Sequence, residues 1–292
     1  MLDIGGKIKQ LRLSKMMTQS DLAGDRITRN MLSSIEHGSA LPSLQTVTYL
    51  AERLNVPIGY LLSGEQEAFF YRKMIEMPNI RHAFSSGDFA GCLSRIANLG
   101  ADLDDELLLL RAECEYGMGR DALLMGRLRS AAAAFDRALL AASETVYNTT
   151  WLRARIAVSF RYLASLSPTL ISDVLDAEEV ERARSAGEEL CDYFSAAESG
   201  EAAIIQRFVS CYPTSLFAAR LSALLLMQKG EFQAAREAYD RLLSREELTL
   251  GVLMYEIFDD MERCCRENDD YKRAYELGNA RIELLERFLE EA

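Results

Sequence analysis

The side chains able to do covalent or acid–base chemistry are few and poorly grouped. The six cysteines, Cys92, Cys114, Cys191, Cys211, Cys264 and Cys265, form no Cys-x-x-Cys pair, and the only histidines are His37 and His82. With no Ser-His-Asp set, phosphate-cradling glycine loop or metal-ligand cluster, neither a metal nor a cofactor is expected, and the chain is expected not to be an enzyme. Gly117-x-Gly119 reads as a turn at a helix end. Asp104-Asp105 and Asp259-Asp260 read as solvated helix carboxylates rather than an acid–base pair. The thiols are expected to be reduced and packed as small hydrophobes, as in a cytoplasmic protein. What remains is hydrogen-bonding chemistry. Adjacent Arg29 and Asn30, with Ser33 and Ser34 one turn further on, offer a fork of N–H donors, an amide donor–acceptor pair and two hydroxyls.

A short helix must present that set, and the flanking sequence supplies one. Residues 1–62 read as five short helices. In the first, Ile4, Ile8 and Leu11 repeat at i, i+4 and i+7, with Lys7, Lys9, Arg12 and Lys15 largely on the other faces. Thr18, with Asp21 three residues on, forms a capping-box pattern before a helix at about 19–24 that buries Leu22 and Ala23. Thr28 caps a helix at about 29–37 with Leu32 and Ile35 inward, and Gly38 stands just past its end. Ser43 caps a fourth, with Leu44, Val47, Ala51 and Leu54 on one face, and Pro57 opens a last turn through Tyr60-Leu61-Leu62.

The order Gln19-x-x-Leu22-Ala23, then Thr28 through Gly38, then Leu41-Pro42-Ser43-Leu44, then Leu50-Ala51 and Tyr60-Leu61-Leu62, resembles a lambda-repressor-like helix-turn-helix of the xenobiotic-response-element type across residues 4–62. Two departures are a turn between Ala23 and Thr28 about one residue short, and His37 where many relatives carry Asn. The resemblance implies that the N-terminal half of the third helix enters the DNA major groove. Arg29 could then pair with guanine O6/N7 and Asn30 with adenine N6/N7, with Ser33 and Ser34 in reach. It also implies phosphate contacts from Gln19 at a helix N-terminus, from Thr28, and from the loop bounded by Ser39 and Ser43. For Gln19 and Thr28, pure capping is the competing role. Glu36 would meet a basic side chain inside the domain, with Arg12 the candidate, and His37 reads as a surface residue.

Charge divides the chain. The 292 residues carry −12 overall, yet residues 1–65 hold seven basic and six acidic side chains, a net of +1, which leaves −13 on 66–292. The acidic total argues against a generic nucleic-acid binder. Two domains, 1–65 and 66–292, reconcile the two signs. Five prolines and abundant Ala, Leu, Glu and Arg point to an all-α fold. No run of about 18 apolar residues exists, so no membrane span or membrane partner is expected. So few cations give one head little counterion-release affinity. A homodimer reading a pseudo-palindromic double-stranded site is therefore expected.

The second part repeats. Gly87-Asp88-Phe89-x-x-Cys92 recurs as Gly230-Glu231-Phe232-x-x-Ala235, more loosely as Gly126-x-Leu128-x-x-Ala131, and again as Asp269-Asp270-Tyr271-x-x-Ala274. Extended through Tyr239, Leu242 and Leu243, or through Phe135, Ala138 and Leu139, the phrase resembles the second helix of a tetratricopeptide repeat. The residues before each glycine (104–118, 215–229, 247–266) read as first helices. Further helices are expected at about 145–166 and 178–197, and five or six hairpins in all, stacked as an α-solenoid. A helix-turn-helix followed by such repeats is similar to the peptide-pheromone-responsive regulators of Gram-positive bacteria. That likeness implies a transcription regulator whose groove takes a peptide or protein effector, although no groove residue among Asn148, Arg153, Arg155, Arg161, Arg207, Arg220, Tyr162 and Tyr212 matches a family position. Alternatively, the repeats serve only dimerisation or a protein partner, or the chain is mainly a protein-binding adaptor.

Overall fold

The computed structural model describes residues 4–100, 102–167, 169–170 and 187–290. Among the described residues every regular element is a helix, as the composition predicts. None of these helices is long and apolar enough to cross a membrane. The chain forms two compact units, Met1–Asp102 and Leu103–Ala292. Charge divides the sequence at 65/66, whereas packing divides it at 102/103.

In the first unit, α1 (Ile4–Ser14), α2 (Gln19–Ala23), α3 (Arg29–Glu36), α4 (Leu44–Leu54) and α5 (Ile58–Leu62) enclose Ile8, Leu22, Leu32, Ile35, Leu50 and Leu54. The expected caps are in place. Thr18 and Asp21 form the reciprocal capping box, and the hydroxyls of Thr28 and Ser43 accept from the N–H groups of Met31 and Thr46. Leu44 departs from expectation: it is 66% exposed. As the first residue of α4 it lies beyond the helices that cover Val47, Ala51 and Leu54. Next come α6 (Glu65–Ser85) and α7 (Phe89–Ala97). Tyr71 of α6 meets Tyr60 edge-on at 6.3 Å. It also lies against Gly59, where a Cβ would come 2.1 Å from its hydroxyl oxygen. These contacts carry the compact unit past residue 65.

The second unit runs α8 (Asp105–Leu124), α9 (Leu128–Glu144), α10 (Thr150–Leu166), α11 (Glu189–Ser199), α12 (Ala202–Cys211), α13 (Leu216–Gln228), α14 (Phe232–Leu243), α15 (Val252–Glu267) and α16 (Tyr271–Glu290). The repeated phrase marks one turn used four times. Gly87, Gly126 and Gly230 have φ of 77°, 77° and 79°, and Asp269 has 59°. At each, the residue's own N–H donates three residues back, and the next N–H donates five back, as in Gly126→Leu123 and Arg127→Ala122. This left-handed closure is why glycine stands there, and Asp is among the few side chains that also adopt it. The turn folds α6 on α7, α8 on α9, α13 on α14 and α15 on α16. Five residues later a small side chain, Cys92, Ala131, Ala235 or Ala274, is buried where the paired helices touch.

Two expectations are corrected. Gly117 and Gly119 lie inside α8, not at a turn, and a Cβ on Gly119 would sit 2.5 Å from the Phe135 ring. Here glycine permits close helix approach. Asp260 is buried, at 1% exposure, rather than solvated, because Arg220 holds it. Of the helix expected at about 178–197, the stretch before 187 lies outside the described residues, while Leu190 and Phe194 of α11 are buried. Five of the six cysteines are buried, and burial pushes the thiols of Cys191 and Cys264 up to about 12 and about 11, so both stay protonated.

Candidate nucleic-acid interface

Helix α3 has a locked face and an open one. Leu32, Ile35 and Glu36 are buried. Thr28, Arg29, Asn30 and Met31 are exposed, and Ser33 and Ser34 are half-buried. Gly5 of α1 crosses so close to α3 that a Cβ there would lie 2.1 Å from the Ile35 carbonyl oxygen. The turn before α3 is closed by the Tyr49 hydroxyl, which donates to the Ala23 carbonyl at 3.0 Å.

The far end of α3 is held by a buried ion pair. Arg12 donates through Nε to Glu36 Oε1 at 2.7 Å and through Nη2 to Oε2 at 3.0 Å, the bidentate geometry that makes Arg–carboxylate pairs strong. The Arg12–Glu36 partnership expected from sequence is therefore present. Burial pushes the Glu36 carboxyl up, but the hydrogen bonds from Arg12 and Gln19 outweigh it and hold the group below the usual carboxylate range.

The residues singled out from sequence fall into two groups. Arg29 and Asn30 stand together on the exposed face, and their side chains have no polar partner among the described residues. The other groups are engaged locally. The Gln19 amide donates to Glu36 Oε2 at 2.9 Å, Ser39 Oγ donates to the Ser34 carbonyl at 3.0 Å, and Ser43 and Thr28 serve as caps. His37 is exposed, its Nδ1 2.7 Å from the Ser33 carbonyl oxygen. Sequence reasoning missed Met31, whose apolar side chain shares the exposed surface of α3 with Asn30. Its place directly after Arg29-Asn30 was the available signal.

The charge estimate also sharpens. Lys7, expected on an outer face, turns in, and Arg12 turns in to the Glu36 partner expected of it. Lys7 Nζ donates to the carbonyls of Tyr60 at 3.0 Å and Ser63 at 2.8 Å, and Arg12 is buried against Glu36. Arg53 donates to the Asp21 carbonyl at 2.5 Å. Lys9, Lys15, Arg26, Arg29 and Arg53 remain exposed. A weakly cationic surface with Arg29 and Asn30 exposed side by side suits base-edge recognition better than charge-driven binding.

Residues 8–61 match the family described as "Helix-turn-helix". No curated protein matches the chain. Among solved structures it is similar to PlcR of Bacillus thuringiensis in complex with the peptide PapR7 and DNA, at 10% identity over 100% of both chains with a TM-score of 0.23. It is similar to ComR of S. thermophilus in complex with DNA and its signalling peptide ComS, at 15% identity over 96% of this chain and 99% of that one, TM-score 0.24. A third is ComR of Streptococcus vestibularis in complex with its cognate signalling peptide XIP, at 18% identity over 97% and 99%, TM-score 0.21.

Proposed function

We propose that this chain, whose residues 8–61 are a helix-turn-helix domain, is a cytoplasmic, dimeric, sequence-specific DNA-binding transcription regulator without catalytic activity. Residues 1–65 read DNA; residues 66–292 dimerise and take a peptide or protein effector. The observation that carries this reading is the pairing of Arg29 and Asn30, exposed and unpartnered, on a helix whose opposite face is fixed by Leu32, Ile35 and the Arg12–Glu36 pair. Arg29 pairs with guanine and Asn30 with adenine, while Ser33 and Ser34 lie deeper on the same helix. Backbone N–H groups near Gln19 and Thr28, and the loop from Ser39 to Ser43, meet phosphates. Arg29→Ala with Asn30→Ala is expected to weaken specific binding by several kcal/mol at most, at about 1–3 kcal/mol per bidentate contact. The thermal midpoint should not move, because neither side chain supports the fold. The measurement is a mobility-shift titration on a sequence selected in vitro with the full-length protein. Unchanged affinity would remove α3 from the role of recognition helix.

The dimer reading has support on α16. Tyr271, Tyr275, Gly278, Ile282, Leu285 and Leu289 alternate at spacings of four and three, the pattern of a coiled-coil seam. Tyr271, Tyr275, Ile282 and Leu289 are exposed, Tyr275 to 72% and Ile282 to 53%, whereas Leu285 packs on the core of the second unit. A second copy fits this seam. In an antiparallel pairing about a two-fold axis near Gly278–Ile282, exposed Lys272 of one copy meets exposed Glu286 and Glu290 of the other. Ile282→Asp is expected to give a monomer by sedimentation velocity with unchanged far-ultraviolet circular dichroism, and to weaken binding to a two-fold-symmetric site. A dimer that survives the substitution excludes the seam as its interface.

A further inference from the structure

In the second unit a small cavity opens onto a buried charge network. Arg220 of α13 donates through Nε to Asp260 Oδ2 at 2.8 Å and through Nη1 to the Tyr193 hydroxyl at 2.6 Å, with Glu256 Oε1 3.2 Å from the same nitrogen. Tyr193 in turn donates to Glu256, and Tyr239 donates to Asp260 at 3.0 Å. One buried guanidinium thus faces two carboxylates. Arg263, largely exposed, adds only a 4.0 Å contact to Asp260. Burial pushes the Glu256 carboxyl up despite the pull of Arg220.

The cavity measures about 220 Å³ and is bounded by α10, α11, α13 and α15. Val158 and Phe194 line it with apolar surface, and Glu256 and Arg220 line it with charge. An Arg161–Glu198 ion pair, 2.6 Å apart, also borders it. The Tyr162 ring stacks on Phe194 at 3.8 Å. Its hydroxyl is buried with Glu256 as the partner within reach, yet it makes no hydrogen bond of normal geometry. A buried hydroxyl left in this state is costly, and it marks a place where an incoming polar group would gain a partner.

We propose that this cavity binds a primary ammonium group on a short methylene stem, with Glu256 as its anionic partner and the Tyr162 hydroxyl as its second contact. A carboxylate offers about four acceptor sites, and Arg220 and Tyr193 leave part of Glu256 unused. The cation also offsets the surplus negative charge of the network. Ligand cavities usually exceed about 300 Å³, so this one holds a single group rather than a whole ligand, with the stem lying on Val158 and Phe194. This deepens the effector reading and rests on it. The ammonium belongs either to a lysine side chain or N-terminus of a peptide, or to a free small amine.

The test is titration calorimetry on the full-length protein. The probes are n-butylammonium chloride, its neutral twin n-butanol, Nα-acetyl-lysine amide and putrescine. Saturable binding of n-butylammonium, at least about tenfold tighter than n-butanol, is expected. Of the other two, the tighter binder identifies the source. Glu256→Gln should abolish the preference for the cation. Tyr162→Phe should weaken n-butylammonium several-fold without lowering the thermal midpoint, which keeps the proposal testable if Glu256→Gln does not fold. Equal binding of n-butylammonium and n-butanol, or no saturable binding at tens of millimolar, overturns it. Either result leaves the effector reading to its own trial, mass spectrometry of peptides co-purifying with the full-length protein.

Discussion

Arg220→Met is expected to destabilise the second unit by about 3–5 kcal/mol, the range for removing one member of a buried ion pair. Methionine fills much of the arginine's space, so the loss is electrostatic rather than a cavity effect. What it strands is specific. Glu256 and Asp260 keep the hydroxyls of Tyr193 and Tyr239 but lose the guanidinium between them. At about 2–4 °C per kcal/mol for a unit of this size, the midpoint should fall by roughly 6–20 °C. The pH dependence separates this cause from simple misfolding. Stranded carboxylates have raised pKa values in the folded state, so the folded variant binds more protons than the unfolded chain above the usual carboxylate range. Its stability therefore rises as pH falls, and the gap to the parent protein narrows between pH 7 and pH 5. Adding Glu256→Gln and Asp260→Asn should recover part of the loss. Urea unfolding at both pH values decides the matter. A loss below about 1 kcal/mol, or a gap that widens on acidification, contradicts the account.

The parts of this molecule legible in its sequence are those set by local rules. Thr18, Thr28 and Ser43 cap helices because a side-chain oxygen three residues ahead of a free N–H has one obvious partner. Gly87, Gly126 and Gly230 mark turns because a left-handed residue is needed there, and even Asp269 followed the repeat rather than its residue type. The failures are all tertiary. Gly119 reads as a turn until the Phe135 ring of the neighbouring helix is known to fill the space beside it. Asp260 reads as a solvated carboxylate until Arg220, forty residues earlier in sequence, is seen to reach it. In the candidate interface Arg29 and Asn30 were legible from type and helical face. The inward turn of Lys7 was not, because its acceptors are the carbonyls of Tyr60 and Ser63, which carry no side-chain signature. Charge counting thus overstated the cations available to phosphate, and the corrected surface strengthens the case for two heads acting together.

Arg12→Met in the first unit is expected to cost about 3 kcal/mol, since Glu36 would stay buried with only the Gln19 amide as donor. This substitution should also weaken DNA binding, although Arg12 is itself buried, because its pair with Glu36 fixes the end of α3 opposite Arg29 and Asn30. The contrast with Arg29→Ala/Asn30→Ala is diagnostic: that variant loses affinity and keeps stability, whereas Arg12→Met loses both. Acid gives an independent handle. Glu36 is depressed when folded, so its contribution is complete above the ordinary carboxylate value of 4.5 and disappears as pH falls through the lower folded value. Hydrogen-exchange protection of the α1–α5 amides in the intact protein, relative to the intrinsic rate at each pH, should therefore fall selectively below about pH 4.5, ahead of α8–α16. In Arg12→Met the Glu36 carboxyl rises instead, so its stability contribution should change in the opposite direction with pH. Matching pH profiles for the two proteins would mean that the pair does not govern the stability of the head, and that α3 is held by Leu32, Ile35 and the Gly5 crossing alone.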